Sequence, residues 1–199
     1  PGRDAAFRGE GTTLYTMRER HPHTASRIAQ AMPDGKLIYL VRHPLRRIES
    51  HWIQDRENGD SSIPGDFSRA IRKHFDWYVK PSDYGYQLAV YYEHFSRDQI
   101  LVEFFEDFCA DPFAVMRRCL NFLGANVAAA PANICSHTNV SEGKRLLDPR
   151  FDLFREYPAV RVLKRLLPAR LKYEVTRRLF VRTPWSGRPA WDPACKAAV

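Results

Sequence analysis

The stretch Lys36-Leu37-Ile38-Tyr39-Leu40-Val41-Arg42-His43-Pro44 constrains the fold more than any other part of the chain. Five apolar residues in a row, without alternation, predict a short strand covered on both faces, the habit of parallel sheets. Arg42-His43 ends the run, and Pro44 suits the first position of a helix. In that helix Leu45, Ile48 and Trp52 share an apolar stripe, while His43, Arg46, Arg47 and Ser50 share a polar one.

The flanks extend this pattern. Ala25, Ile28, Ala29 and Met32 recur at helical spacing behind Thr24, and Pro33-Asp34-Gly35 reads as a turn into the strand. Residues 58–66 read as a surface loop. Helices are predicted over 67–79 and from about Asp83, the second with Tyr84, Leu88, Tyr91, Tyr92 and Phe95 on one face. Ile100–Phe104 reads as a second buried strand. Asp111-Pro112 starts a helix with Phe113, Met116, Leu120 and Leu123 inward, and Gly124 stops it. Helix, strand, helix, strand, helix predicts an α/β domain with a mostly parallel sheet. Basic helices are expected between about 155 and 182, and a loose tail over 183–199.

Hydrophobic residues at 44% and charged residues at 27% exclude a disordered or collagen-like chain. No apolar run approaches the ~18 residues of a membrane-spanning helix. The net charge of +8 is unevenly placed: residues 140–199 carry 14 Lys/Arg against 6 Asp/Glu, and residues 1–139 balance at 17 each. A basic segment on a neutral body suits a polyanionic ligand, or simply a solvated helical surface. Cys109, Cys119, Cys135 and Cys195 form no C-x-x-C pair, so free buried thiols and a reducing compartment are expected. The histidines form no H-E-x-x-H or other metal set, and no metal is expected. Asn139-Val140-Ser141 is a glycosylation sequon, meaningful only in a secretory compartment.

Three segments carry candidate chemistry. Ligands of open α/β sheets bind outside the carboxyl ends of the strands. Arg42 stands there, and its guanidinium can grip a phosphate bidentately. Ser50, eight residues on, can donate a hydroxyl to the same group; an ordinary solvated helix face is the competing account. Gly9-Glu10-Gly11-Thr12-Thr13-Leu14-Tyr15 sets one carboxylate among small residues, or is a turn before a helix. Ser141-Glu142-Gly143-Lys144-Arg145 is a basic, glycine-bearing loop able to reach a phosphate, or a plain surface loop. Glu106-Asp107 reads as helix capping at a strand end.

Together these pieces resemble the sulfotransferases that use 3′-phosphoadenylyl sulfate (PAPS), notably bacterial members and the heparan sulfate type. The strongest match runs from Lys36 to Trp52: a strand, Arg-x-Pro, then Ser eight residues after the Arg. Arg27-Ile28, Pro33-Asp34-Gly35-Lys36, the Glu10 segment, Tyr84-Gly85-Tyr86-Gln87-Leu88, Gln99–Val102, Glu106-Asp107-Phe108 and Asp111-Pro112 leading to Phe122-Leu123-Gly124 fit in order, over about residues 8–125.

The resemblance implies a P-loop-like three-layer α/β sandwich: one sulfotransferase-like domain over 1–182, with core 8–125 and a basic helical part 140–182. It implies that Arg42 and Ser50 bind the 3′-phosphate of PAPS, that Glu10 is the general base, and that Lys144 and Arg145 lie on a loop closing over the nucleotide. The reaction implied is sulfuryl transfer to a hydroxyl or amine acceptor such as a glycan or small molecule, with PAPS as co-substrate and neither metal nor nucleic acid. The family's 5′-phosphosulfate loop, Lys-x-Gly-Thr-Thr-like, lies well upstream of the Glu segment, and only nine residues precede Glu10. The expectation is therefore a fragment lacking that loop and its strand, and inactive by itself. A cytoplasmic setting is expected for a bacterial protein, and the Golgi lumen for a eukaryotic one. A P-loop nucleotide kinase and a non-catalytic basic glycan- or nucleic-acid-binding module are the rival readings.

Overall fold

In the computed structural model, which describes residues 7–60, 62–129, 141–147, 168 and 182–199, Leu37–Val41 forms strand β1 and Ile100–Phe104 forms β2. They pair in parallel, with Leu37 opposite Ile100 and Val41 opposite Phe104. The described helices are, in chain order, α1 (Thr24–Ala31), α2 (Pro44–Asn58), α3 (Phe67–Lys73), α4 (Phe75–Tyr78), α5 (Tyr84–Tyr92), α6 (Phe105–Ala110), α7 (Pro112–Leu123) and α8 (Pro193–Ala197), and β3 (Arg145–Leu147) and β4 (Arg182–Pro184) form an antiparallel pair. The chain divides into two compact units, residues 1–41 with 83–130 and residues 42–82 with 131–199.

In the first unit one face of the β1–β2 pair is packed. Leu37, Ile100 and Val102 meet Ala25, Ile28 and Ala29 of α1, Leu88 and Tyr91 of α5, and Phe95. Tyr91 donates its hydroxyl to the Tyr15 carbonyl at 2.6 Å, and burial pushes its phenol up to about 12. Gln99 ties the turn before β1 to the start of β2, donating to the carbonyls of Pro33 (2.7 Å) and Gly35 (3.2 Å). On the opposite face, Glu103 is buried and gripped by Arg118 of α7, Nε to Oε1 at 2.8 Å and an Nη to Oε2 at 2.6 Å.

That face departs from the expected two-sided cover. Ile38 and Leu40 are 42% and 50% exposed. Their register partners are Leu101 and Glu103, so the face is shared, but α7 packs on β2. An unbroken apolar run thus does not by itself ensure cover on both faces. The inner face of α7 also differs. Val115, three residues before Arg118, is its buried residue, whereas Phe113 is 46% exposed. The ion pair to Glu103 orients this helix, and residues three apart share a side. Glu106 and Asp107 occupy the first turn of α6.

The second unit is built on α2. Ile48, Trp52 and Ile53 pack with Ile63, Phe67, Ala70, Ile71, Tyr78, Val79, Leu146 and Cys195. Asp66 caps α3 by accepting from the Arg69 amide at 2.6 Å. The single helix expected over 67–79 is interrupted at His74, whose backbone (φ −125°, ψ 44°) leaves the helical region. Beyond the break, Trp77 Nε1 and the Tyr78 hydroxyl both donate to Asp55 Oδ2 at 2.8 Å. Arg56, almost wholly buried, donates to the Ile63 carbonyl at 2.9 Å.

Residues 184–199, expected to be a loose tail, are instead anchored by their aromatic side chains. Trp185 stands edge-on to Trp52 (5.5 Å between ring centres) and Trp191 edge-on to Phe67 (4.7 Å). Asp192 caps α8 from the N-terminal side and Cys195 is buried. Cys109 is exposed and Cys119 half-buried, both free thiols, so the expectation of buried thiols holds for Cys195 alone among the described cysteines. The basic helices expected between about 155 and 182 fall almost entirely outside the described residues, as does Cys135.

The Asp55 cluster yields the first prediction. Asp55→Ala removes the shared acceptor of two donors, the Trp77 indole and the buried Tyr78 hydroxyl. At about 1–3 kcal/mol for each stranded group, unfolding stability should fall by roughly 2–5 kcal/mol. Urea denaturation measures it; a loss below about 0.5 kcal/mol contradicts this account of the cluster.

Candidate functional site

The polar side of α2 is the scaffold. Ser50, Gln54 and Glu57 follow one another at i, i+4 and i+7, which places them on one helical stripe. Residues 141–144 lie along that stripe. Ser141 Oγ is 3.4 Å from Ser50 Oγ. Lys144 donates its ammonium to Gln54 Oε1 and pairs with Glu57 Oε2 at 3.2 Å. Gln54 Nε2 in turn donates to Glu57 Oε2 (3.1 Å) and Asn58 Oδ1 (3.0 Å).

The loop is held from behind by the chain that follows β4. The Gly143 amide donates to the Trp185 carbonyl at 2.9 Å, and the Trp185 amide donates to the Lys144 carbonyl at 2.7 Å. Gly143 has φ +79°, a left-handed conformation that glycine adopts without a Cβ penalty. Beyond it Leu146 enters the core.

The structure separates the residues singled out from sequence. Arg42 follows the last residue of β1 and is half-buried; Ser50 is half-buried in the second turn of α2. Lys144 is buried and engaged with Gln54 and Glu57 on α2, while Arg145 is exposed at the start of β3. Ser50 and the 141–145 loop are therefore brought together. Glu10 belongs to the other unit, where it is exposed in a stretch without regular secondary structure before the short turn Thr13–Thr16; no strand precedes it among the described residues.

The first turns of α2 carry fewer uncommitted cations than their sequence suggests. Arg46 grips both oxygens of Glu49 (3.2 and 2.9 Å), and Glu49 also accepts from Trp191 Nε1 at 2.8 Å. Arg47 donates to Ser82 Oγ at 3.3 Å. Among the described residues, no group of three or more His, Cys, Asp or Glu side chains is arranged to hold a metal ion. Among them, too, no helix is long and apolar enough to cross a membrane.

Sequence reasoning pointed to Ser50 and the loop but not to what joins them. The 50/54/57 stripe is visible in the sequence, yet its partner lies some ninety residues away. His51, next to Ser50, was not singled out either. Its ring packs on Trp77 and Tyr78 (5.1 and 5.0 Å between centres), and its Nδ1 is buried with no hydrogen-bond partner among the described residues. Burial lowers its pKa to about 4, Asp55 at 3.9 Å opposing the shift and Arg47 adding to it.

With this geometry in place, comparison with known proteins is specific. The model of the family described as "Sulfotransferase domain" matches residues 13–146. Arg42, Ser50, Lys144 and Arg145 lie inside the match, and Glu10 lies three residues before it. A solved structure of a sulfotransferase from Alicyclobacillus acidocaldarius is 28% identical, with a TM-score of 0.54 over 67% of this chain. The alignment covers 57% of that protein, so this chain corresponds to somewhat more than half of it. No curated protein matches significantly. The α/β architecture is accordingly the P-loop-like class expected from sequence.

His51 supplies the second prediction. A base with a folded pKa below its unfolded value of about 6.5 binds fewer protons when folded. Its contribution is complete above about 6.5 and is lost as pH falls towards about 4. Unfolding free energy should therefore drop across that window, and His51→Gln should flatten the slope there. Urea titrations at several pH values measure this; identical slopes for both proteins would remove His51 as the cause.

Proposed function

We propose that this chain, which belongs to the sulfotransferase domain family, takes part in transfer of a sulfuryl group from PAPS to a hydroxyl or amine acceptor. The observation that carries the reading is the family match over β1, Arg42, α2 with Ser50, and the 141–145 loop in one span. In this reading Arg42 and the Ser50 hydroxyl hold the 3′-phosphate of the donor, a bidentate charged fork and a neutral donor on one anion. The acceptor oxygen or nitrogen bonds to sulfur while the bond from sulfur to the 5′-phosphate oxygen breaks. 3′-Phosphoadenylate departs with that electron pair, and Glu10 takes the acceptor's proton. Positioning and charge stabilisation supply most of the rate, as in phosphoryl transfer.

Lys144 takes a different part from the one the resemblance implied. Its ammonium is already shared between Gln54 and Glu57, so it places the loop, and Arg145 is left as the exposed cation of the segment. The acceptor is proposed only by class: a glycan or a small molecule bearing a hydroxyl or amine. The free thiols Cys109, Cys119 and Cys195 fit a reducing compartment such as the cytoplasm.

Two predictions test the reading. Arg42→Ala and Ser50→Ala should weaken binding of adenosine 3′,5′-bisphosphate, the former by about 10- to 100-fold, as expected for loss of a charge-assisted bond. Neither should change binding of adenosine 5′-phosphosulfate, which lacks the 3′-phosphate. Equal losses for both ligands in calorimetry would show that these residues do not read that phosphate. Separately, Glu10→Gln in the active protein should lower turnover by about 10²- to 10⁴-fold with nucleotide affinity nearly unchanged. Near-normal turnover with an unaltered pH profile would remove Glu10 from proton transfer.

A further inference from the structure

We infer that Gln87 is a positioning residue for Glu10: its buried amide straps the chain just after the Glu10 segment to α5, and so fixes where that carboxylate stands. This rests on the reading that Glu10 takes the proton of the sulfuryl acceptor, and it adds the group that holds the base.

Three observations within the first unit carry it. First, Gln87 is a polar side chain only 1% exposed. A buried amide is costly unless its carbonyl and its NH2 group find partners. Both ends reach one stretch of chain: Oε1 accepts from the Arg18 amide at 3.0 Å, and Nε2 makes a longer contact with Glu19 Oε2 at 3.4 Å. An aliphatic side chain of similar size would fill the space without choosing a register. The amide chooses which residues lie against α5.

Second, the strap has other fastenings on the same helix. Tyr91 stands four residues after Gln87, on the same side of α5. Its hydroxyl donates to the Tyr15 carbonyl at 2.6 Å. The Arg18 guanidinium lies over the Tyr86 ring, 4.7 Å from its centre, and donates to the Tyr86 carbonyl at 3.4 Å. Met17, between these points, is buried. Residues 15–19 are therefore held to one helix at successive points.

Third, a short, bonded path joins the strap to Glu10. Thr13–Thr16 is a turn of 3-10 helix, and Thr12 caps it by accepting from the Leu14 amide at 3.2 Å. Gly11 alone separates that cap from Glu10. A Cβ at Gly9 or Gly11 would meet nothing within 4 Å among the described residues, which leaves room for a sulfuryl acceptor on either side. The capped turn carries the register of the strap to the carboxylate. Misplacing a reacting group by about an ångström can cost about 10²-fold in rate, so such a hold matters for a base.

The test is kinetic, in the active protein. Gln87→Met should lower turnover about 10- to 100-fold while calorimetric affinity for adenosine 3′,5′-bisphosphate stays within about twofold. Tyr91→Phe, which removes one hydroxyl and keeps the ring, should lower turnover by about 3- to 10-fold in the same selective way. Once Glu10→Gln is present, Gln87→Met should cost no more than about a further threefold, because both act through one carboxylate. Gln87→Glu combined with Glu19→Gln exchanges the two side chains and keeps a hydrogen-bond acceptor for the Arg18 amide. It should recover turnover to within about fivefold of the unsubstituted protein. On this chain itself, amide hydrogen exchange at Leu14 and Met17 should quicken about tenfold in Gln87→Met, while the amides of α7 keep their rates. A merely structural role would lower thermal stability but leave turnover per folded molecule unchanged. If Glu10→Gln lowers turnover while neither Gln87→Met nor Tyr91→Phe does, or if the losses add, this inference is overturned and the reading of Glu10 stands. Unchanged exchange at Leu14 and Met17 overturns it too. If Glu10→Gln turns over nearly normally, both fall together.

Discussion

A buried ammonium needs a carboxylate or several strong acceptors, because the interior does not solvate it. Lys144 meets that demand on α2 with Gln54 and Glu57, and much of the second unit's geometry follows from it. The pairing brings residues some ninety positions downstream against the helix that begins two residues after Arg42. It sets the register of the 141–147 segment, and so determines that Ser141 meets Ser50 and that Leu146 enters the core. Removing the charge from Lys144 would leave the same backbone bonds to Trp185 but no reason for this particular register.

α2 serves two masters at once. Ile48, Trp52 and Ile53 belong to the core, and Arg56 on the same helix is buried by donating to a backbone carbonyl. Its other side carries Ser50, Gln54 and Glu57. Between them, His51 and Asp55 join Trp77 and Tyr78 in a cluster where one carboxylate oxygen accepts two hydrogen bonds. Burial raises the Tyr78 phenol and lowers the His51 imidazole, and both shifts favour the uncharged form. Through the bonds to Asp55 the cluster holds α4 to the helix that carries Ser50.

Most of the element order was legible in the sequence because its signals are local. Asp111-Pro112 and Gly124 bound α7 as capping chemistry dictates: the Asp111 carboxylate accepts from the Ala114 amide at 3.0 Å, and Gly124 has φ +76°. The apolar runs at 37–41 and 100–104 are strands. Failures arose where a distant partner decides the outcome. Periodicity put Phe113 inward, but an ion pair to Glu103 on β2 turned Val115 inward instead. A tail with few long apolar runs read as loose, yet two indoles and an aspartate cap anchor it. At the site, Arg42 and Ser50 stood out because strand, arginine, proline and helix are contiguous. Ser141 lay within a segment already noted for its glycine and cations, but nothing local ties its hydroxyl to Ser50. Only the long-range pairing of Lys144 does that.

Charge counting around α2 is modified by the same kind of contact. Arg46 and Arg47 stand in its first turns, and Lys144 lies on the loop beside it. In the structure Arg46 is matched to Glu49, Lys144 to Glu57 and Arg72 to Asp192. A matched cation contributes little field at a distance and keeps its donors occupied. The charge available at the start of α2 is thus set by pairings made in the fold rather than by the sum of its residues.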